Sequence, residues 1–192
     1  MTHILEDIDA SAWHTLAEAV NQPDDAFRYL SLSSVDADGQ AQARTLVLRR
    51  ATQATRQLEF HTDIRSEKWQ ELAMNPRVTV LGYSHQSRLQ LRLQGSAQRY
   101  DADSELAARV WRSLPAHTQS TYTGGPPGDA RDSSGGQSPE SADNGAGKAR
   151  FGVIIVQVNQ LDWYQLQRGN NQRALLPYND AGMLDAARWV NP

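Results

Sequence analysis

The sequence predicts a mostly β protein, a small barrel with a few short helices. Three observations predict it. About eight runs of strand-forming residues recur along the chain, each closed by turn-forming residues. Helical periodicity is confined to a few short stretches, so the strand–helix alternation of a doubly wound sheet is missing. No Gly-x-Gly-x-x-Gly or P-loop pattern occurs, which disfavours a Rossmann or Walker nucleotide site.

The elements run in this order. Ser11 to Gln22 reads as a helix, with Trp13, Leu16, Ala17 and Val20 on one face and Pro23 beyond its end. Phe27 to Val35 and Gln40 to Arg50 read as strands of a hairpin around Asp36-Ala-Asp-Gly39. Gln57 to His61 is a third strand. Ser66 to Met74 is a short helix stopped by Asn75-Pro76. Arg77 to Tyr83 and Arg88 to Tyr100 are further strands. Asp101 to Ser113 is a helix that Asp101 or Asp103 can cap, with Leu106, Val110 and Leu114 as its stripe. Phe151 to Val158, Leu161 to Gln167, Arg173 to Pro177 and a run through Trp189-Val190 supply the remaining strands.

At 192 residues, 39% of them hydrophobic, the chain has material for one core and one domain, residues 1–192. Residues 123–149 are rich in Gly, Pro, Ser and Asp and lack Leu, Ile, Val and aromatics. Such a stretch buries too little apolar surface to offset its ordering entropy, so it is expected to be a mobile insert within the domain. A net charge of −3 argues against non-specific nucleic-acid binding. No apolar run reaches the length of a membrane span, and the N-terminus lacks the basic and apolar regions of a signal peptide. Cysteine is absent, which removes disulfides and thiolate sites and fits a cytoplasmic location. The five histidines show no metal-ligand spacing.

Chemistry concentrates in Arg44-Thr-Leu-Val-Leu-Arg49 and in Phe60-His-Thr-Asp-Ile-Arg-Ser-Glu-Lys68. The first places an arginine at each end of an apolar strand. The second runs from a strand end into a helix start that carries Thr62, Arg65, Ser66 and Lys68. Helix N-terminal N–H groups lack partners and sit at the positive end of the dipole, so they favour an anion. Arginine offers paired donors and lysine a point charge. At roughly 1.5–3 kcal/mol per charged hydrogen bond, a few such groups hold a phosphate monoester without a metal. With a flat apolar wall between the arginines, the pattern describes a flavin mononucleotide (FMN) site.

Those two segments, with Asn75-Pro-Arg-Val78 and Leu89-Gln-Leu-Arg-Leu-Gln-Gly95, resemble the pyridoxamine 5′-phosphate oxidase family, in particular its shorter oxidase-related, FMN-binding branch. The similarity is strong from about Phe27 to Trp111 and looser from Phe151 onward. It implies a split β-barrel, FMN as cofactor, and a homodimer with sites at the interface. By resemblance, Arg44 and Arg49 belong to the flavin site, with Thr45, Leu46, Val47 and Leu48 along the ring. His61 and Thr62 stand for the family's aromatic-Thr pair, and Ser66, Glu67 and Lys68 occupy its phosphate-binding helix start. Glu67 replaces a usual arginine, and Arg65 is expected to supply that charge. Gln90 matches a residue often given by the partner subunit. Tyr164 and Arg173 match a late tryptophan and arginine.

The substrate side departs from the family. The tyrosine and arginine that hold substrate phosphate in the full oxidases align with Val110 and Leu114, and the late Arg-x-His motif is missing. The implied function is an FMN-dependent oxidoreductase acting on an unidentified small molecule through an altered substrate site. A non-catalytic flavin-binding or redox-sensing module, or a barrel holding another ligand such as haem, stands beside it.

Overall fold

The computed structural model describes residues 2–130 and 144–192. Its strands are β1 (Tyr29–Val35), β2 (Ala41–Thr52), β3 (Gln57–Asp63), β4 (Arg77–Ser84), β5 (Leu89–Tyr100), β6 (Phe151–Gln165), β7 (Gln172–Pro177) and β8 (Arg188–Val190). All pairings are antiparallel, in the order β3-β2-β1-β4-β5-β6-β7-β8, and β3 also pairs with β6. That extra pairing closes β3-β2-β1-β4-β5-β6 into a six-stranded barrel and leaves β7 and β8 as a flap on the far half of β6. The fold is the expected split β-barrel.

Two expected strands, 151–158 and 161–167, are one strand of 15 residues. Asn159 is the reason the break looked real. It lies opposite no β5 residue, because the register steps from Gln94↔Gln160 to Gly95↔Val158. A bulge bends a strand without ending it. Gly95 is required there, since a Cβ would lie 2.1 Å from the Gln157 carbonyl oxygen.

The barrel interior is filled by Leu30, Leu32, Leu48, Leu58, Phe60, Val80, Leu91, Leu93, Ile154 and Leu161, each fully buried. Helix α1 (Thr2–Ala19) adds Trp13 and Leu16, and α2 (Glu67–Met74) adds Trp69 and Leu72. A second cluster lies outside the barrel wall, where Ala107, Val110 and Trp111 of α3 (Glu105–Ser113) meet Tyr122, Phe151, Val153 and Ile155. Covered on both faces, the start of β6 is a continuous apolar run, and its alternation is hidden.

Helix α1 starts earlier than its periodicity suggested, and α3 later. Ser104 caps α3 by accepting from the Ala107 N–H, a role expected of Asp101 or Asp103. Beyond α4 (Ala116–Ser120), residues 131–143 of the expected insert lie outside the described residues. Its last part folds as helix α5 (Asn144–Arg150), against the expectation of a stretch without structure. Gly147 of α5 lies so close to Trp111 that a Cβ would sit 3.0 Å from its ring.

Candidate flavin-phosphate site

The β3–α2 corner builds the site. Asp63, at the end of β3, accepts from the backbone N–H of Arg65 at 2.9 Å, and its own carbonyl accepts from the Ser66 N–H and hydroxyl at 3.1 and 2.7 Å. The turn is fixed and delivers Ser66 as the N-terminal flanking residue of α2. No side-chain hydrogen bond caps that helix start. Thr62 and Ser66 are buried, with hydroxyls 3.4 Å apart, and Lys68 Nζ donates to Thr62 Oγ1 at 3.1 Å.

Lys68 has no carboxylate within ion-pair distance among the described residues. Burial, and then the nearby charge of Arg44, hold its amino group below the usual lysine value against the opposing pull of Asp63, Glu71 and Glu67. Arg44, Thr45, Leu46, Ser66, Glu67, Lys68, Pro127 and Gly128 line a cavity of about 320 Å³ at this corner. An ammonium group with two unspent donors, an uncapped helix start and two hydroxyls fit a phosphate monoester such as that of FMN.

Arg44 is already engaged. It donates to Glu71 of α2 at 2.9 and 3.2 Å and to the Ser34 hydroxyl, which itself donates to Glu71. Glu71 is buried, and neither it nor Ser34 was expected at the site from the sequence. A carboxylate beside the buried Trp69 and Leu72 was the available signal. Glu67, which replaces the family's usual arginine, is exposed and lines the cavity. Arg65, expected to replace the missing charge, does not line it. Its guanidinium is bound to Asp63 at 2.9 and 2.6 Å and to the carbonyls of Gly124 and Gly125.

The strand between the arginines does not present a single wall. Leu48 is fully buried in the barrel, Leu46 packs partly against the same core, and Thr45 is exposed. Strand alternation sends Thr45 and Val47 outward and Leu46 and Leu48 inward. Arg49 falls at a register shift between Leu48 and Arg50, and its Nε is buried without a hydrogen-bond partner. It lies near Tyr122, whose hydroxyl is pushed up to about 12 by burial against the opposing pull of Arg49. His61 donates from Nε2 to Glu59 at 2.9 Å, stacks edge-on against Phe151 and leaves Nδ1 buried and unpartnered.

Gln90, Tyr164 and Arg173 form one row, Gln90 paired with Tyr164 and Tyr164 with Arg173. Arg173 binds Asp162 at 2.9 and 2.8 Å, and Arg92 binds the same buried carboxylate. This row does not meet the α2 corner within one chain. β3 is paired with β6, but Thr62 stands beside Gly152 at the start of that strand and Gln90 beside Tyr164 near its other end.

The chain is a split barrel whose α2 corner carries groups that fit a phosphate monoester. Residues 10–101 match the family described as pyridoxamine 5′-phosphate oxidase, FMN-binding domain. Similar curated proteins include the pyridoxine/pyridoxamine 5′-phosphate oxidases of Psychrobacter cryohalolentis and Cupriavidus taiwanensis. The first is 35% identical over 41% of this chain and 35% of its own length, the second 35% identical over 44% and 39%. The chain thus matches less than half the length of these relatives. A pyridoxamine 5′-phosphate oxidase-related, FMN-binding protein of Nostoc punctiforme superposes with a TM-score of 0.77 at 24% identity, covering 95% of this chain and 96% of the other. PhzG of Burkholderia lata, solved with tetrahydrophenazine-1-carboxylic acid, gives 0.63 at 16% identity over 100% and 92%. Over residues 10–101 the chain matches an FMN-binding domain, which supports FMN as its cofactor.

Proposed function

We propose that the protein is an FMN-dependent oxidoreductase that works as a homodimer, each flavin lying between the α2 corner of one protomer and the β5–β7 row of its partner. The observation that carries this reading is the half-buried ammonium of Lys68, which makes no direct ion pair among the described residues, beside an uncapped helix start. In this reading Lys68, Ser66 and Thr62 take the phosphate, Arg44 and Arg49 add positive potential, and His61 lies at the ring end of β3. Arg65 supports the corner through Asp63. Gln90, Tyr164 and Arg173 reach the flavin from the other subunit, which their placement near the opposite end of β6 from the α2 corner supports.

FMN, when bound, accepts an electron pair from the substrate and passes it to an acceptor; the protein supplies binding and orientation. The substrate site differs from that of the full oxidases. Val110 is buried in the α3 cluster and Leu114 packs against it, so both positions serve packing. The same observation favours a second reading, a flavin-binding module without turnover. No helix among the described residues is long and apolar enough to cross a membrane. With the cysteine-free sequence, we assign the protein to the cytoplasm and assign it no nucleic-acid partner.

The absorption spectrum of the purified protein, with mass identification of the heat-released ligand, tests the cofactor. Bound FMN is expected, and a protein that neither carries nor takes up FMN removes the reading. Sedimentation equilibrium tests the dimer. Stopped-flow reduction by candidate donors separates an enzyme, which turns over, from a module, which does not.

A further inference from the structure

We propose that Thr123–Gly128 is a strap that walls the phosphate cavity, and that Arg65 is the positioning residue that pins it. The inference rests on the flavin reading of the α2 corner and assigns Arg65 a role other than phosphate ligand.

Two independent observations carry it. The first is the anchoring. Arg65 Nη2 donates to the carbonyls of Gly124 and Gly125 at 3.0 and 3.3 Å, while Nε and Nη2 hold both oxygens of Asp63. From the other side, Arg150 Nη1 donates to the carbonyls of Thr123 and Gly124 at 2.8 and 3.0 Å. Three consecutive carbonyls are thus held by two guanidinium groups, one from the β3–α2 corner and one from the end of α5. The second is the placement of the adjoining residues. Pro126, Pro127 and Gly128 turn back, with the Asp129 N–H on the Pro126 carbonyl at 3.3 Å, and Pro127 and Gly128 line the cavity opposite Ser66 and Lys68.

Chain composition explains why a strap and not a helix or strand sits here. Consecutive glycines leave the carbonyls open to the two arginines, and consecutive prolines have few conformations to lose on ordering. Gly128 adopts φ +95°, which a side-chain-bearing residue rarely does. The strap closes one side of the cavity as a steric wall and so slows escape of a flavin lying there, with or without a phosphate on Lys68. Arg65 acts on the cofactor only through Asp63 and these carbonyls.

The test uses the full-length protein loaded with FMN or with riboflavin, which lacks the phosphate. Release rates are read by flavin fluorescence after dilution, and amide hydrogen exchange is followed over residues 123–129, without flavin as well as with it. In Arg65→Gln, exchange at 123–129 accelerates and both flavins leave faster by a similar factor, about tenfold for loss of a charged hydrogen bond. Lys68→Gln, by contrast, speeds FMN alone. Arg65→Lys, which keeps the charge but cannot bridge Asp63 and the carbonyls, behaves like Arg65→Gln and guards against misfolding of the latter. Weakened FMN with untouched riboflavin would make Arg65 a phosphate ligand and overturn the proposal. Unchanged exchange at 123–129 overturns the anchoring whatever flavin does. Faster exchange with unchanged release removes the strap's role in retention. A wild type that takes up neither flavin sinks the flavin reading itself, and the strap's retention role falls with it.

Discussion

The α2 corner and the β5–β7 row both gather cationic side chains, yet they differ in how the charge is answered. In the row, buried Asp162 sits between Arg92 and Arg173 and accepts from both. In the corner, Arg44 is answered by Glu71, while Lys68 finds only a hydroxyl. The row thus pairs its charges directly through Asp162, although Arg92 Nε stays buried without a hydrogen-bond partner. The corner leaves the partly buried Lys68 ammonium without a direct ion pair, with Asp63, Glu71 and Glu67 acting on it only at longer range, and this favours an arriving anion. Binding capacity is therefore read from the group left unpaired, and the number of arginines is a poor guide to it.

The sharpest way to break this contrast is to remove the carboxylate that satisfies the row. Asp162→Asn leaves two arginines, each about a third exposed, facing one another without a counter-charge. A stability loss of about 2–3 kcal/mol is expected from breaking a buried, doubly paired carboxylate, discounted for the solvent reaching the arginines. Urea unfolding measures it. A variant as stable as the wild type would show that the row is not held by this pair.

Next in size is Lys68→Ala. It removes a single charged contact, about 1.5–3 kcal/mol, so the FMN dissociation constant rises by roughly ten- to a hundredfold while that of riboflavin stays within a few fold. Isothermal titration of both ligands decides it. Equal losses for the two would place the phosphate elsewhere. A smaller, opposite effect is expected from Glu71→Gln. Freed of its carboxylate, Arg44 turns part of its charge toward the cavity, and FMN binds a few fold tighter while the melting temperature falls.

Legibility in the sequence followed the range of the interactions. The hairpin of β1 and β2, the turn into α2 and the long β5 rest on local residues such as Asp36, Gly39 and Asn75-Pro76, and were readable. So was the cationic corner, because Thr62, Ser66 and Lys68 are neighbours in the chain. What escaped needs distant partners. Glu71 meets Arg44 from another element, Gly95 marks a bulge on a strand more than sixty residues later, and Arg65, paired with Asp63, also reaches the carbonyls of Gly124 and Gly125. The resemblance suggested a ring wall of four consecutive residues, but a strand can offer only alternate ones to one face. The helix Asn144–Arg150 was hidden by its composition, since it is held by contact with Trp111 and not by an apolar stripe of its own.

The smallest effect, and the most specific, is in pH. Lys68 is held below the ordinary lysine value of 10.5, first by burial and then by Arg44. The unfolded chain therefore binds its proton more tightly than the folded one. Stability gains from this group as pH rises through the interval between the lowered value and 10.5. Ligand binding runs the other way. A phosphate on the ammonium favours the charged form, so FMN binds best below the lowered value and loses affinity as pH climbs through it, with proton uptake on binding. Asp162 behaves as the mirror case. Burial raises it, but the bonds from Arg173 and the charge of Arg92 outweigh that and hold it below 3.8. Its stabilisation is present above that value and is lost only as pH falls through the lowered one. FMN and riboflavin affinities titrated from about pH 7 to about pH 10 separate the two regions. FMN alone should weaken toward alkaline pH, and Lys68→Arg, which stays charged throughout, should flatten the slope. Parallel slopes for the two flavins would mean that the unpaired ammonium is not what meets the phosphate.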